Sequence, residues 1–145
     1  MWIQSLNHST YQHQYHIVWS TRYRYKWLKE YVRDELVRNF YATVEKYPTL
    51  HLFTINTDQD HVHIQIEIAP NTSVAAAVSV LKSHSSIELK KKYKFIRDMY
   101  IDGGIWSVGY FSSTIGLNET IIKKYIENQG KEEIPHQPNF RFSWQ

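Results

Sequence analysis

The sequence predicts an α+β chain of the ferredoxin-like, split-βαβ type: an antiparallel sheet with two helices on one face, followed by one further helix. Three observations predict it. Four β-branched and aromatic runs, at 11–20, 50–57, 61–68 and 105–113, read as strands. Two longer segments carry apolar residues at helical spacing. The order is β-α-β-β-α-β before the last helix, which is the order this layered arrangement requires. With 145 residues, 42% hydrophobic and 15% aromatic, the chain can bury one real core, and its composition is not that of a disordered segment.

The first strand is YQHQYHIVWS, residues 11–20. In 28–47, Leu28, Val32, Leu36, Phe40 and Val44 fall four apart and make a buried helical stripe that Pro48 ends. LHLFTINT (50–57) and 61–68 form a hairpin through the turn residues Asp58-Gln59-Asp60. Ser73 is placed to cap a helix over 74–91, with Val74, Val78, Leu81 and Leu89 on its buried side. Gly103-Gly104 breaks the chain before IWSVGYFSS, the fourth strand. Asn118 caps a last helix, 119–129, which Gly130 is expected to stop. Residues 1–130 read as one domain and 131–145 as a polar, proline-bearing tail without assigned structure.

The absence of cysteine excludes disulfides, thiolate-bound zinc and thiol catalysis. The first residues lack the basic and apolar regions of a signal peptide, and no apolar run approaches the roughly 20 residues of a membrane span. The expectation is a cytoplasmic chain with no membrane partner. The net charge of +3 says little, but its distribution says more. Residues 20–29 hold Arg22, Arg24, Lys26 and Lys29 with no acid, interleaved with Tyr23, Tyr25 and Trp27. A second cluster contains Lys82, Lys90, Lys91, Lys92, Lys94 and Arg97. Basic groups mixed with planar rings suit phosphates and unstacked bases, although a solvated basic surface has the same composition.

The chemistry begins at DHVHIQIE, residues 60–67. Strand side chains at i and i+2 share a face, so His61 and His63 project together while Val62, Ile64, Ile66 and Ile68 face the helices. Two imidazoles on the helix-free face are in position to chelate a divalent ion; a hydrogen-bonded pair with no ligand has the same pattern. On the last helix Tyr125 and Gln129 are four apart and share a face, with Ile121, Ile122 and Ile126 on the apolar side.

HVH at 61–63, preceded by Asp58 and Asp60, together with IIKKYIENQ at 121–129, resembles the small single-tyrosine HUH transposases of bacterial and archaeal insertion sequences, the IS200-like transposases. YHIVWSTRYRYK at 15–26, LKSHSS at 81–86 and WSVGYF at 106–111 extend the resemblance over about residues 11–130. It departs at Ser83-His84, where the family usually has glycine and a small or basic residue, and at Asn118 and Thr120, where an alanine–proline pair is common.

The resemblance implies that His61, His63 and Gln129 are metal ligands for Mg²⁺ or Mn²⁺ and that Tyr125 is the catalytic nucleophile. It implies transposition through a 5′-phosphotyrosine link, on single-stranded DNA bearing hairpins. With the basic segments it marks Arg22, Arg24, Lys26, Lys82, His84, Ser85, Lys90 and Lys91 as DNA contacts. It further implies a homodimer that exchanges the tyrosine helix; Gly116 is placed to be a hinge for that exchange, or a simple turn glycine. Imidazole ligands would accept Zn²⁺ or Ni²⁺ equally. Two other readings compete. His61, His63 and Gln65 match the HxHx(H/Q) string of histidine-triad nucleotidyl transferases, and the same fold without catalysis would serve as a structured-nucleic-acid binder.

Overall fold

The computed structural model of the chain describes residues 4–6, 9–11, 13–114 and 116–131, with side chains described over 13–114 and 116–129. In order, the elements are β1 (Gln4–Leu6), β2 (Ser9–Tyr11), β3 (Gln14–Ser20), a 3-10 turn (Arg22–Arg24), α1 (Glu30–Glu45), β4 (Leu50–Thr57), β5 (His61–Ile68), α2 (Val74–Lys92), α3 (Lys94–Met99), β6 (Phe111–Ser113) and α4 (Glu119–Lys131). The main sheet has the order β4-β5-β3-β6 with every neighbouring pair antiparallel, the split-βαβ topology.

One face of this sheet makes the core. Ile17 and Trp19 of β3 and Val62, Ile64, Ile66 and Ile68 of β5 are buried against Val32, Leu36 and Phe40 of α1 and Ala77, Leu81 and Leu89 of α2. The spacing of β4 is uneven: Leu50, Leu52 and Ile55 are all buried. A register shift between Leu52 and Thr54 accommodates it, because one extra residue in the strand returns Ile55 to the core face. Ser73 caps α2, its hydroxyl accepting from Ala76 N at 3.0 Å, and Asn118 Oδ1 accepts from Ile121 N at 2.9 Å at the start of α4.

The boundaries differ from expectation in four places. The run 11–20 is divided: Tyr11 ends a separate two-stranded ribbon with β1, and the sheet strand starts at Gln14. In 105–113 only Phe111–Ser113 pairs along β3. The preceding Ile105, Trp106 and Ser107 are buried one after another, a pattern that fits a segment crossing the sheet end and not an alternating strand. It is held at the sheet end by the Thr21–Trp106 bridge, by the bonds from Ser107 N to Ser20 O at 3.0 Å and from Arg22 N to Ile105 O at 2.8 Å, and by Ser107 Oγ donating to Thr21 O at 2.9 Å. A short α3 follows the break at Tyr93 and seats Ile96 in the core. Finally, α4 passes through Gly130 to Lys131. A glycine within a helix costs only about 1 kcal/mol relative to alanine, so it weakens the helix without ending it. The tail beyond Lys131 and position 115 lie outside the described residues. Among the described residues no helix is long and apolar enough to cross a membrane.

Candidate active site

Directly paired residues lie on one face of a sheet, so register alone maps the helix-free face. Ser20 pairs with His61, and Val18 pairs with His63 on one side and Phe111 on the other. His16 pairs with Gln65, Gln14 with Glu67. This face therefore carries His61, His63 and His16, with Phe111 about 10 Å from His63 across two strand spacings. Val18 is completely buried yet belongs to no part of the core beneath α1 and α2.

Helix α4 makes its contacts with β3 and the 3-10 turn. Gln129 anchors it. Its Oε1 accepts from Ser20 N at 3.0 Å and Ser20 Oγ at 2.7 Å, while Nε2 donates to Val108 O at 2.8 Å and Gly109 O at 3.2 Å. A side-chain amide has two acceptor sites and two protons, so this one is saturated. Tyr125, one turn earlier, is half-buried with its ring 5.7 Å from Phe111. Gly109 packs beside both side chains, its Cβ position 3.8 Å from the Tyr125 hydroxyl and 3.9 Å from Gln129 Nε2, and its φ of +90 is a backbone conformation that favours glycine. On the other side of α4, Ile122 and Ile126 line a cleft of about 410 Å³ with His61, Arg24, Lys26, Asp58 and Lys123.

The two histidines differ in surroundings. His61 Nδ1 is 3.0 Å from Asp60 Oδ1. That hydrogen bond, with Arg24 nearby and against the opposing effect of burial, holds the Asp60 carboxyl below the usual carboxylate range. His63 Nε2 is buried with no hydrogen-bond partner, and its ring lies 5.6 Å from that of His16. Burial first, then the neighbouring His16 and His61, push the His63 imidazole below the ordinary histidine value. A buried nitrogen lone pair without a donor is costly to an isolated fold and well suited to a cation. Both imidazoles thus fit a divalent ion. Gln129 does not offer a donor in this arrangement, and among the described residues no three of His, Cys, Asp and Glu converge as a ligand group.

The basic residues separate into three groups. Arg24 and Lys26 border the histidine cleft. Lys82 donates to Ser107 O at 2.7 Å and Gly109 O at 2.8 Å, and Lys90 to Tyr100 O at 2.6 Å and Gly103 O at 2.7 Å, so both tie down loops. Arg22 reaches Gly104 O at 3.4 Å and lies over the Tyr23 ring. The remaining residues are elsewhere. His84 sits in the cleft between α1 and α2, on the helix layer, with Nδ1 3.5 Å from Thr43 Oγ1. Lys91 is exposed beside Glu88. Ser85 corrects its sequence reading: it is fully buried, bonded to Leu81 O at 2.7 Å and accepting from Trp106 Nε1 at 2.9 Å, and has no surface to offer DNA. Gln65 shares the histidine face but donates to Gln14 Oε1 at 3.2 Å. The sequence reading missed Ser20, Gly109 and Lys123 altogether; it took Asp60 for a turn residue and for part of the family resemblance, without giving it a role in the site.

Fold and site together define a small α+β protein that seats a helix bearing a tyrosine and a glutamine on the sheet face that carries a histidine pair. The chain belongs to the transposase IS200-like family, whose family model matches residues 9–129. It is 28% identical over 130 residues to the transposase of insertion sequence element IS200 from Salmonella typhimurium, covering 90% of this chain and 85% of that protein. It is also 28% identical over 124 residues to the ISDra2 transposase TnpA of Deinococcus radiodurans, covering 85% and 88%. Among solved structures, a candidate transposase from Deinococcus radiodurans R1 superposes with a TM-score of 0.75 at 24% identity, over 87% of this chain and 97% of that one. A REP-associated tyrosine transposase bound to a REP hairpin gives 0.54 at 12% identity, over 90% and 76%. At these identities the two structures show the fold alone.

Proposed function

We propose that the protein is a DNA transposase that cleaves and rejoins single-stranded DNA at insertion-sequence ends, with Tyr125 as the nucleophile. The observation that carries this reading is that α4, bearing Tyr125 and Gln129, is seated on the same sheet face as His61 and His63. Family membership supports it, and the solved relative bound to a REP hairpin supports a hairpin-bearing DNA partner. The Tyr125 hydroxyl oxygen attacks a backbone phosphorus. The bond to the 3′ oxygen breaks, the phenolic proton passes to solvent, and the departing 3′ oxygen takes up a proton. The products are a 5′-phosphotyrosine link and a free 3′-hydroxyl. One phosphodiester replaces another, so a 3′-hydroxyl can reverse the step and rejoin strands without a further energy source.

His61 and His63 would hold a divalent ion, Mg²⁺ or Mn²⁺, with Gln129 as third donor once its amide leaves Ser20 and the 108–109 backbone. Such an ion, when bound, draws charge from a phosphate oxygen and makes phosphorus more electrophilic. The family resemblance extends the reading to a homodimer in which α4 of one subunit serves the histidines of the other, which would replace the docking of α4 on its own sheet through Gln129. Gly116, just before α4, is the proposed pivot of that exchange. Arg24, Lys26 and Lys123 flank the cleft where the DNA backbone approaches.

The test is incubation of labelled single-stranded DNA from the gene's own flanks with the protein and Mg²⁺ or Mn²⁺, resolved on a denaturing gel. The reading expects an adduct that requires metal and is lost in Tyr125→Phe. Binding without an adduct under any metal would favour a non-catalytic nucleic-acid binder.

A further inference from the structure

Asp60 occupies a junction. It is only 8% exposed, at the turn before His61, and both carboxylate oxygens are used. Oδ1 faces His61 Nδ1 at 3.0 Å. Oδ2 faces Arg24, whose Nη2 donates at 3.4 Å and whose Nε lies 3.4 Å away outside hydrogen-bond geometry. The main-chain carbonyl of Asp60 accepts from Thr21 N at 2.9 Å, which ties the turn to the end of β3. An ionised carboxylate only accepts, so the shared proton sits on His61 Nδ1 and the Nε2 lone pair is left for another partner.

Arg24 reaches this position from an unusual backbone. Tyr23 and Arg24 are both left-handed, at φ 61 and φ 58. Two successive bulky residues hold that conformation only where their surroundings enforce it. Here Arg22 N donates to Ile105 O at 2.8 Å, Arg24 N to Thr21 O at 3.0 Å, and the Tyr100 hydroxyl to Arg22 O at 2.6 Å. The strain is spent on delivering a guanidinium to Asp60, although the sequence offers Arg24 as a simple DNA contact.

We propose that Asp60 and Arg24 are positioning residues: an Arg24–Asp60–His61 chain that fixes the imidazole proton on Nδ1 and presents Nε2 to a divalent cation. The inference rests on the reading of His61 and His63 as that cation's ligands. Arg24 gives the carboxylate a cation on its second oxygen, which fixes the orientation in which the first oxygen meets His61. An asparagine cannot replace it. One amide face would have to present NH₂ to either the guanidinium or the Nδ1 proton, so the orientation of His61 becomes frustrated.

The test uses the full-length chain, with two readouts independent of DNA cleavage: the His61 tautomer from long-range ¹H–¹⁵N imidazole correlations, and Mn²⁺ affinity by calorimetry. Wild type is expected to show the proton on Nδ1 and to bind Mn²⁺. Asp60→Asn should lose the single tautomer and weaken Mn²⁺ about 10–100-fold. Arg24→Gln, at a partly exposed side chain that can change without unfolding the chain, should weaken it in the same direction by a smaller factor. Thermal melts identify any variant that fails to fold, in which case Arg24→Gln decides. Unchanged tautomer and affinity in the folded variants would overturn the positioning role and leave the metal reading standing. Absence of Mn²⁺ binding by wild type would overturn the metal reading itself and this role with it.

Discussion

The two halves of the candidate site are built differently. The sheet half, His61 and His63, stands on β5, a central strand hydrogen-bonded on both sides over its whole length and backed by the main core. The helix half, Tyr125 and Gln129, stands on α4, whose contacts among the described residues include the four bonds of one glutamine amide, the Tyr125–Phe111 ring contact and Ile126, buried outside the main core. Elements with few anchoring contacts open at lower free energy than core strands. The difference teaches that the candidate ligands stand on a central strand of the core sheet while the proposed nucleophile stands on a helix outside the main core. A tyrosine that must attack a phosphate and later release it is suitably placed on such a helix, and an ion-binding pair is suitably placed on the core strand.

Four perturbations break or sharpen this contrast. Tyr125→Phe should reduce covalent adduct formation by at least ~10³-fold while leaving Mn²⁺ affinity unchanged, because it removes the attacking oxygen and none of the proposed metal donors. Equal loss of metal binding would mean that the halves are not separable. His63→Leu should weaken Mn²⁺ binding by ~100-fold or more, yet raise metal-free stability by about 1 kcal/mol, since it removes a buried nitrogen that lacks a partner. Calorimetry and chemical denaturation read the two effects, and a destabilised apo protein would argue that His63 serves the fold.

In metal-free protein, Gln129→Ala should act on the other half alone. It leaves Ser20 N–H and Val108 O without their partner, at about 1–3 kcal/mol for the docking of α4. Hydrogen exchange should then accelerate roughly 10-fold or more along α4 with β5 unchanged; uniform acceleration would contradict the comparison. The smallest effect is on pH. The fold prefers His63 neutral, and its titration is depressed below 6.5. The unfolded chain therefore takes up this proton first as pH falls, so the associated stability is full above about 6.5 and is lost toward the folded value. In metal-free protein His63→Leu should flatten the acid side of the stability curve by up to ~1.4 kcal/mol per pH unit.

What was legible in the sequence followed from burial on one face. β5 could be bounded to the residue because Val62, Ile64 and Ile66 alternate with polar neighbours in a strand covered on one side only. The stripe Val32, Leu36, Phe40 and Val44 was equally clear on α1. The segment 105–110 was misread because consecutive burial in a crossing segment looks like strand composition. Ser85 carried a signal that went unused: it lies midway between Leu81 and Leu89 on one four-residue stripe, hence on the buried side. Lys82 and Lys90 carried none. A lysine's charge says nothing about which carbonyls a distant loop will bring to it, and those loops, 107–109 and 100–103, are placed by the tertiary fold. The approach of Gln129 to Ser20, across 109 positions of chain, is of the same kind.

The central claim is that this chain becomes covalently joined to DNA through Tyr125. The most direct measurement is mass spectrometry of the metal-dependent adduct after nuclease and trypsin digestion, which releases residues 125–131 as one peptide between Lys124 and Lys131. The account predicts a residual nucleotide on that peptide, localised to Tyr125. A nucleotide on the peptide containing His61 and His63, or on any other residue, would contradict it.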